Sequence, residues 1–213
     1  MTVFPGLAER LAASVLSSCT YIDCAKNEVI SSAGSIPSGL IALKQGLAGA
    51  YVSAMGEDTL VSPITPGVVF ETRLNRNVPS IFTYRALSPT RLLKLSEDRF
   101  QEFLQNPEFA HWCSANQYRN FTMLTRIGAA AAQKNTDRKI LVFVEGYLES
   151  FYNRPLGEAE TAEWLLTQSH VSDILGITRT HLNARLSTLA KQGIMEIRRR
   201  QIVWRRPANL TIA

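Results

Sequence analysis

TQSHVSDILGITRTHLNARLSTLAKQGIMEIRRRQIVW, residues 167–204, is the stretch on which the reading of this chain turns. Val171, Ile174 and Leu175 predict a helix over about 168–175 that stops at Gly176, a residue suited to the left-handed conformation that ends helices. Thr178 then caps a second helix. Its residues Leu182, Leu186 and Leu189 fall at i, i+4 and i+7 and so form one inward stripe. At about 100° per residue, Thr180, Ala184, Ser187 and Lys191 lie opposite that stripe, with Asn183 on the flank. After Gly193 the pattern alternates through Ile194, Glu196 and Arg198 and then Ile202, Val203 and Trp204, predicting a hairpin with Arg198, Arg199 and Arg200 near its tip. From Ile174 onward Arg179, Arg185, Lys191, Arg198, Arg199, Arg200, Arg205 and Arg206 face a single acid, Glu196. Helix, turn, capped helix and basic hairpin in series fit a reader of double-stranded DNA. The first turn of the second helix brings Arg179 to base edges, and the three arginines neutralise phosphates.

With 213 residues, 46% of them hydrophobic, the chain is long enough for two small domains with real cores. No apolar run approaches about 18 residues, and the first dozen residues carry Glu9 and Arg10 in place of a long apolar leader core. A cytoplasmic location is expected. Cys19, Cys24 and Cys113 are an odd set, which suits a reducing compartment better than a disulfide framework.

Upstream, short β-like runs cover Tyr21 to Cys24, Val29 to Ser32, Leu40 to Leu43, Ala50 to Met55, Ile81 to Arg85 and Leu92 to Leu95. Turn signals at Lys26-Asn27, Pro37-Ser38-Gly39, Gly56-Glu57-Asp58, Pro66-Gly67 and Ser88-Pro89 separate them, at intervals that fit an antiparallel roll. Ser96, Glu97 and Asp98 then start a short helix carrying Phe100, Phe103 and Leu104. Asn106-Pro107-Glu108 opens a longer helix that can run to about Lys134. Its apolar residues Phe109, Trp112, Cys113, Phe121, Met123, Leu124, Ile127 and Ala130 to Ala132 are more than one stripe can use, so a second face is expected to meet a partner helix in a homodimer. Asn135-Thr136-Asp137 closes it and caps a further helix with a core stripe of Ile140, Leu141, Phe143, Val144, Tyr147 and Phe151; the glutamate- and glycine-rich stretch 155–161 reads as a loop. The expected fold is α+β: a roll over 1–105, a dimerisation helix over 106–134 and a winged helix-turn-helix over 135–213.

The run from Leu166-Thr167 through Gly176-Ile177-Thr178-Arg179 to Gln192-Gly193-Ile194 and Ile202-Val203 resembles, without a gap, the winged helix-turn-helix of the cyclic-AMP receptor and fumarate-nitrate regulator family. The resemblance implies phosphate contacts from Thr167 and Thr178, and base reading by Arg179. With the neighbouring residues, the expected DNA site has Arg179, Thr180 and Asn183 on bases and Thr167, Gln168, Ser169, Thr178, Arg198, Arg199 and Arg200 on phosphates. The sequence departs from the family at Thr180, where a glutamate is usual, and at Ala184, where a second base-reading arginine is usual; Arg185 is one place out of register and is expected on a phosphate or in a salt bridge. The resemblance also implies a palindromic duplex site, regulation of transcription and, for an activator, RNA polymerase as a partner.

The family's cyclic-nucleotide cassette has a glycine-glutamate pair followed by an arginine-serine pair, the arginine bonding the phosphate. Phe70-Glu71 and Ser80-Ile81 stand at those positions, so cyclic AMP is not expected as a ligand. A loop with Glu71, Arg73, Arg76 and Ser80 could hold another anion. No cofactor is expected. The three cysteines lack iron-sulfur spacing, His111 and Cys113 point to different helix faces and so do not share a haem, and His170 and His181 are too few for zinc. A cupin-like enzyme is a remote alternative, lacking histidine in the roll strands; an effector-independent architectural or nonspecific DNA-binding dimer is the nearer one.

Overall fold

The computed structural model describes residues 4–72, 74, 78–152, 154 and 156–205. They divide into two compact units, 1–122 and 123–213. The chain runs α1 (Glu9–Ser17), β1 (Thr20–Cys24), β2 (Val29–Ser31), β3 (Leu40–Gln45), β4 (Ala48–Ala54), β5 (Glu57–Ile64), β6 (Val69–Thr72), β7 (Thr83–Ala86) and β8 (Thr90–Leu95). It continues with α2 (Glu97–Leu104), α3 (Pro107–Ala132), α4 (Thr136–Tyr152), β9 (Ala159–Glu163), α5 (Gln168–Leu175), α6 (Arg179–Lys191), β10 (Met195–Arg198) and β11 (Gln201–Arg205).

In the first unit two antiparallel sheets form the roll, with strand orders β1-β8-β3-β6 and β2-β7-β4-β5. The apolar run Leu40 to Leu43 is continuous because β3 is covered on both faces, and successive side chains of a strand point to opposite sides. Ile41 and Leu43 turn into the roll with Phe70, Tyr84 and Leu92. Leu40 and Ala42 turn outward, with Val69, Leu93 and Leu95, onto Val15 of α1, Phe100 of α2 and Phe109, Trp112 and Cys113 of α3. Phe109 stacks between Phe103 and Trp112 with ring centroids 5.5 and 5.6 Å away. Gly46 makes the tight turn after β3 at φ +92, and a Cβ there would lie 2.4 Å from the Pro89 carbonyl oxygen, so only glycine fits.

Several elements lie outside the sequence expectation. Helix α1 has no side-chain cap, since its N-cap is Ala8. The Ala8 N–H instead donates to Glu108 Oε1 of α3 at 3.0 Å. Strand β5 is an edge strand, which is why Pro63 is tolerated within it. The turn before it is Met55-Gly56, both at positive φ, so Glu57 and Asp58 belong to the strand and not to the turn. Strand β6 is short and also at an edge. Strand β7 begins at Thr83, leaving Ile81 outside it. Ser96 sits at the N-cap of α2 without a side-chain cap bond.

In the second unit Ile140, Phe143, Val144, Tyr147 and Leu148 of α4 are buried, with Met123, Ile127 and Ala130 at the end of α3. Asn135 Oδ1 caps α4 by accepting from the Arg138 N–H at 3.1 Å. The side chain of Phe151 lies outside the described residues. The expected loop over 155–161 contains β9, which pairs with β11 to give a three-stranded sheet in the order β10-β11-β9. Only Ala162 of β9 is buried, so its sequence carried no apolar alternation. No helix of the described residues is long and apolar enough to cross a membrane.

Candidate nucleic-acid interface

Two short helices and a hairpin build the site. Helix α5 opens with a reciprocal cap in which Thr167 Oγ1 accepts from the His170 N–H at 3.2 Å and the Thr167 N–H donates to His170 Nδ1 at 3.3 Å. His170 thus fills the N3 position that glutamate or glutamine usually takes, a role that spacing alone does not reveal. Gly176 ends α5 at φ 61 and ψ 42, and the chain turns into α6, where Thr178 Oγ1 accepts from the His181 N–H at 3.2 Å. Each threonine spends an acceptor lone pair on its helix. Each keeps its O–H as a donor, and phosphate oxygens only accept.

Leu182 and Leu189 are completely buried and Leu186 only partly, so the inward stripe is tightest at its ends. Arg179, Thr180, Asn183, Ala184, Ser187 and Lys191 are exposed along the other side. No acidic partner of Arg179 occurs among the described residues. Thr167 and Gln168 are exposed, and Ser169 is half-buried at the start of α5. Arg185 is in a salt bridge: its Nε donates to Asp137 Oδ1 at 2.7 Å and its Nη2 to Asp137 Oδ2.

Beyond α6, Arg199 and Arg200 form a two-residue loop joining paired residues Arg198 and Gln201 of β10 and β11, with φ of 45 and 68. Positive φ at both central residues marks a type I′ turn, whose twist suits a hairpin but which normally takes asparagine and glycine. Two arginines there are strained. Arg198 Nε is 2.6 Å from Glu196 Oε1, and Arg200 Nη2 is 3.7 Å from Glu163 Oε1 of β9. Arg199 has no ion pair among the described residues. Glu163 lies upstream of Ile174, where the count of charges in the sequence begins, and so is an acid that count leaves out. Arg206 lies outside the described residues.

The effector-cassette positions in the first unit are built differently. Glu71 is on β6, not in a loop, and 5% exposed; its Oε1 accepts from Ser31 Oγ at 3.0 Å. Burial holds the Glu71 carboxyl above its ordinary value of 4.5, against the smaller opposing pulls of Ser31 and Lys94. Phe70 packs on Tyr84 at 4.8 Å, and the Tyr84 hydroxyl donates to the Phe70 carbonyl at 2.9 Å. Ser80 Oγ donates to the Phe82 carbonyl at 2.9 Å, while Ile81 is 70% exposed. Arg73 and Arg76 lie outside the described residues. Burial pushes the thiols of Cys19 and Cys113 up to about 11 and about 12, so both are thiols at neutral pH. Among the described residues no three His, Cys, Asp or Glu side chains come together as metal ligands.

The chain matches the cyclic nucleotide-binding domain over residues 22–107 and the Crp-like helix-turn-helix domain over residues 147–211. Its fold is similar to that of FixK2 from Bradyrhizobium japonicum, with a TM-score of 0.70 and 19% identity over 88% of this chain and 93% of that one. A double variant of CooA from Carboxydothermus hydrogenoformans gives 0.71 and 14%, over 96% and 94% of the two chains. The c-di-GMP-responsive global regulator CLP from Xanthomonas campestris gives 0.60 and 12%, over 90% and 96%. No curated protein sequence matched the chain. The two domains, in this order and covering most of the sequence, place the chain in the Crp/Fnr family of DNA-binding transcription regulators.

Two outcomes follow from the geometry. Replacing Arg199 by Asn and Arg200 by Gly relieves the turn at the cost of one exposed ion pair, and should stabilise the chain by about 1 kcal/mol in urea unfolding. For Glu71, the raised folded pKa means that its favourable contribution is complete below 4.5 and is lost as pH rises through the folded value. Glu71→Gln, which keeps the acceptor for Ser31, should therefore raise the melting temperature at pH 7, with the gain shrinking towards pH 4.

Proposed function

We propose that this chain is a homodimeric regulator that reads a palindromic duplex site through α6 and does not take cyclic AMP. Arg179, Thr180 and Asn183 contact base edges in the major groove. Thr167, Gln168, Ser169, Thr178 and the wing arginines Arg198, Arg199 and Arg200 contact phosphates. The observation that carries this reading is the first turn of α6: Arg179 is exposed and without an acidic partner among the described residues, on a helix whose other side is anchored by buried leucines. A guanidinium held so, at the N-terminal end of a capped helix, suits two-point bonding to guanine. The Asp137 pair takes Arg185 out of base reading, so Arg179 is the one arginine of α6 left for that task.

The dimer is supported by α3, on which Tyr118 and Phe121 are 71% and 66% exposed, three residues apart and so on one face. A two-fold dimer reading a palindrome presents its two copies of α6 about one DNA turn, roughly 34 Å, apart. RNA polymerase is the further partner if the chain activates. The reading against cyclic AMP is supported by Phe70 in place of the cassette glycine, with its ring packed on Tyr84, and by Ser80 in place of the arginine. The buried acid at Glu71, with no arginine of the cassette beside it, also disfavours an anion.

Arg179→Ala should cost about 1–3 kcal/mol on the selected site and far less on random duplex, measured by fluorescence anisotropy at fixed salt. Equal losses on both would leave a nonspecific binder. Calorimetry with cyclic AMP should give no heat of binding; a saturable heat would overturn that part.

A further inference from the structure

Two contacts join α6 to the first turn of α4, and neither belongs to the DNA-facing side. Arg185 forms its two-point bond with Asp137, and His181 Nε2 lies 3.0 Å from Thr136 Oγ1, hydrogen-bonded to it. His181 and Arg185 are four residues apart and so share one face of α6, while Thr136 and Asp137 are consecutive. The two contacts therefore form a line along α6, beside the line of Leu182 and Leu189. The buried leucines choose which side of α6 faces inward; a second line of contacts on a neighbouring face narrows its rotation further.

Resting on the proposed reading of DNA by α6, we infer that Asp137 and Thr136 are positioning residues that set the rotation of α6 and thereby its sequence discrimination. The side chains of Arg185 and Asp137 are 36% and 23% exposed. Ion pairs this accessible add little to stability, so the consequence of the pair is geometric. A rotation of α6 by one residue's width would carry Arg179 and Asn183 off the base edges and leave the phosphate contacts of the wing nearly intact. Specific binding depends on that rotation. Nonspecific binding does not.

The test uses the full chain, a duplex recovered with it by in vitro selection, and a scrambled duplex of the same length. Affinities for both are compared for the wild type, Asp137→Asn, Arg185→Met, Arg185→Lys and the double variant Asp137→Asn with Arg185→Met, with thermal melts alongside. The ratio of specific to scrambled affinity should fall about tenfold in each single variant, including the lysine, which keeps the charge and loses the two-point fork. It should fall no further in the double variant, because both changes break one interaction. A change in overall charge or in folded fraction acts on both duplexes and cancels in the ratio. Arg185→Lys leaves the start of α4 untouched, and its melt should lie close to that of the wild type because the pair is accessible to solvent. Ratios within twofold of wild type, or losses that multiply in the double variant, would overturn the inference while leaving the DNA-reading role in place. A wild type that fails to discriminate at all would instead sink the proposed function and this inference with it.

Discussion

A helix can offer one polar face to solvent only if its opposite face is held, and in α6 that constraint begins with Leu182 and Leu189. Both are sealed in the core of the second unit, which anchors α6 along its inner side. The caps at Thr167 and Thr178 then fix where α5 and α6 begin, and the left-handed Gly176 fixes the angle between them. The wing follows from the same anchoring, since the carbonyl of Ile194, two residues past the α6 cap, accepts the Arg205 N–H at 2.8 Å and so ties β11 to the end of the helix. Shape is settled by apolar burial and caps, which leaves exposed residues such as Arg179 and Asn183 available for recognition.

The roll uses its interior differently. A cavity meant for a charged phosphate needs a fixed cation and a small residue to let it approach; the corresponding strand here brings a phenyl ring and a buried acid. Phe70 packs against Tyr84, and Tyr84 against Phe82 at 5.9 Å. An aromatic group thus fills part of the roll's interior.

The order of elements in the DNA-reading unit was legible because its signals are local: a glycine one place past a helix, a threonine one place before the next, leucines at helical spacing. The same is true of β3 and β8, whose apolar runs are dense. What escaped was non-local. Strand β9 is Ala-Glu-Thr-Ala-Glu, a sequence with no alternation, and becomes a strand only because β11 offers it an edge. Strand β5 hid behind Glu57, Asp58 and Pro63. Among site residues, the exposed positions of α6 were readable from the wheel. The reciprocal cap from His170, the tie from His181 to Thr136 and the pairing of Arg200 with Glu163 were not, because each requires knowing which segments meet. The wing turn had no sequence signal, since arginine in a left-handed conformation is the opposite of what turn chemistry favours.

The bond from Ala8 to Glu108 has a consequence for how the chain is made. Helix α1 has nine residues, fewer than an isolated helix needs to persist in water, and its capping acceptor lies a hundred positions downstream. During synthesis α1 therefore lacks this cap, and part of the cover for Leu11, Val15 and Leu16, until the eight strands of the roll and the start of α3 have emerged. A helix so short, secured by a partner so distant in sequence, leaves apolar surface open for the interval in which a nascent chain most needs shielding from its neighbours.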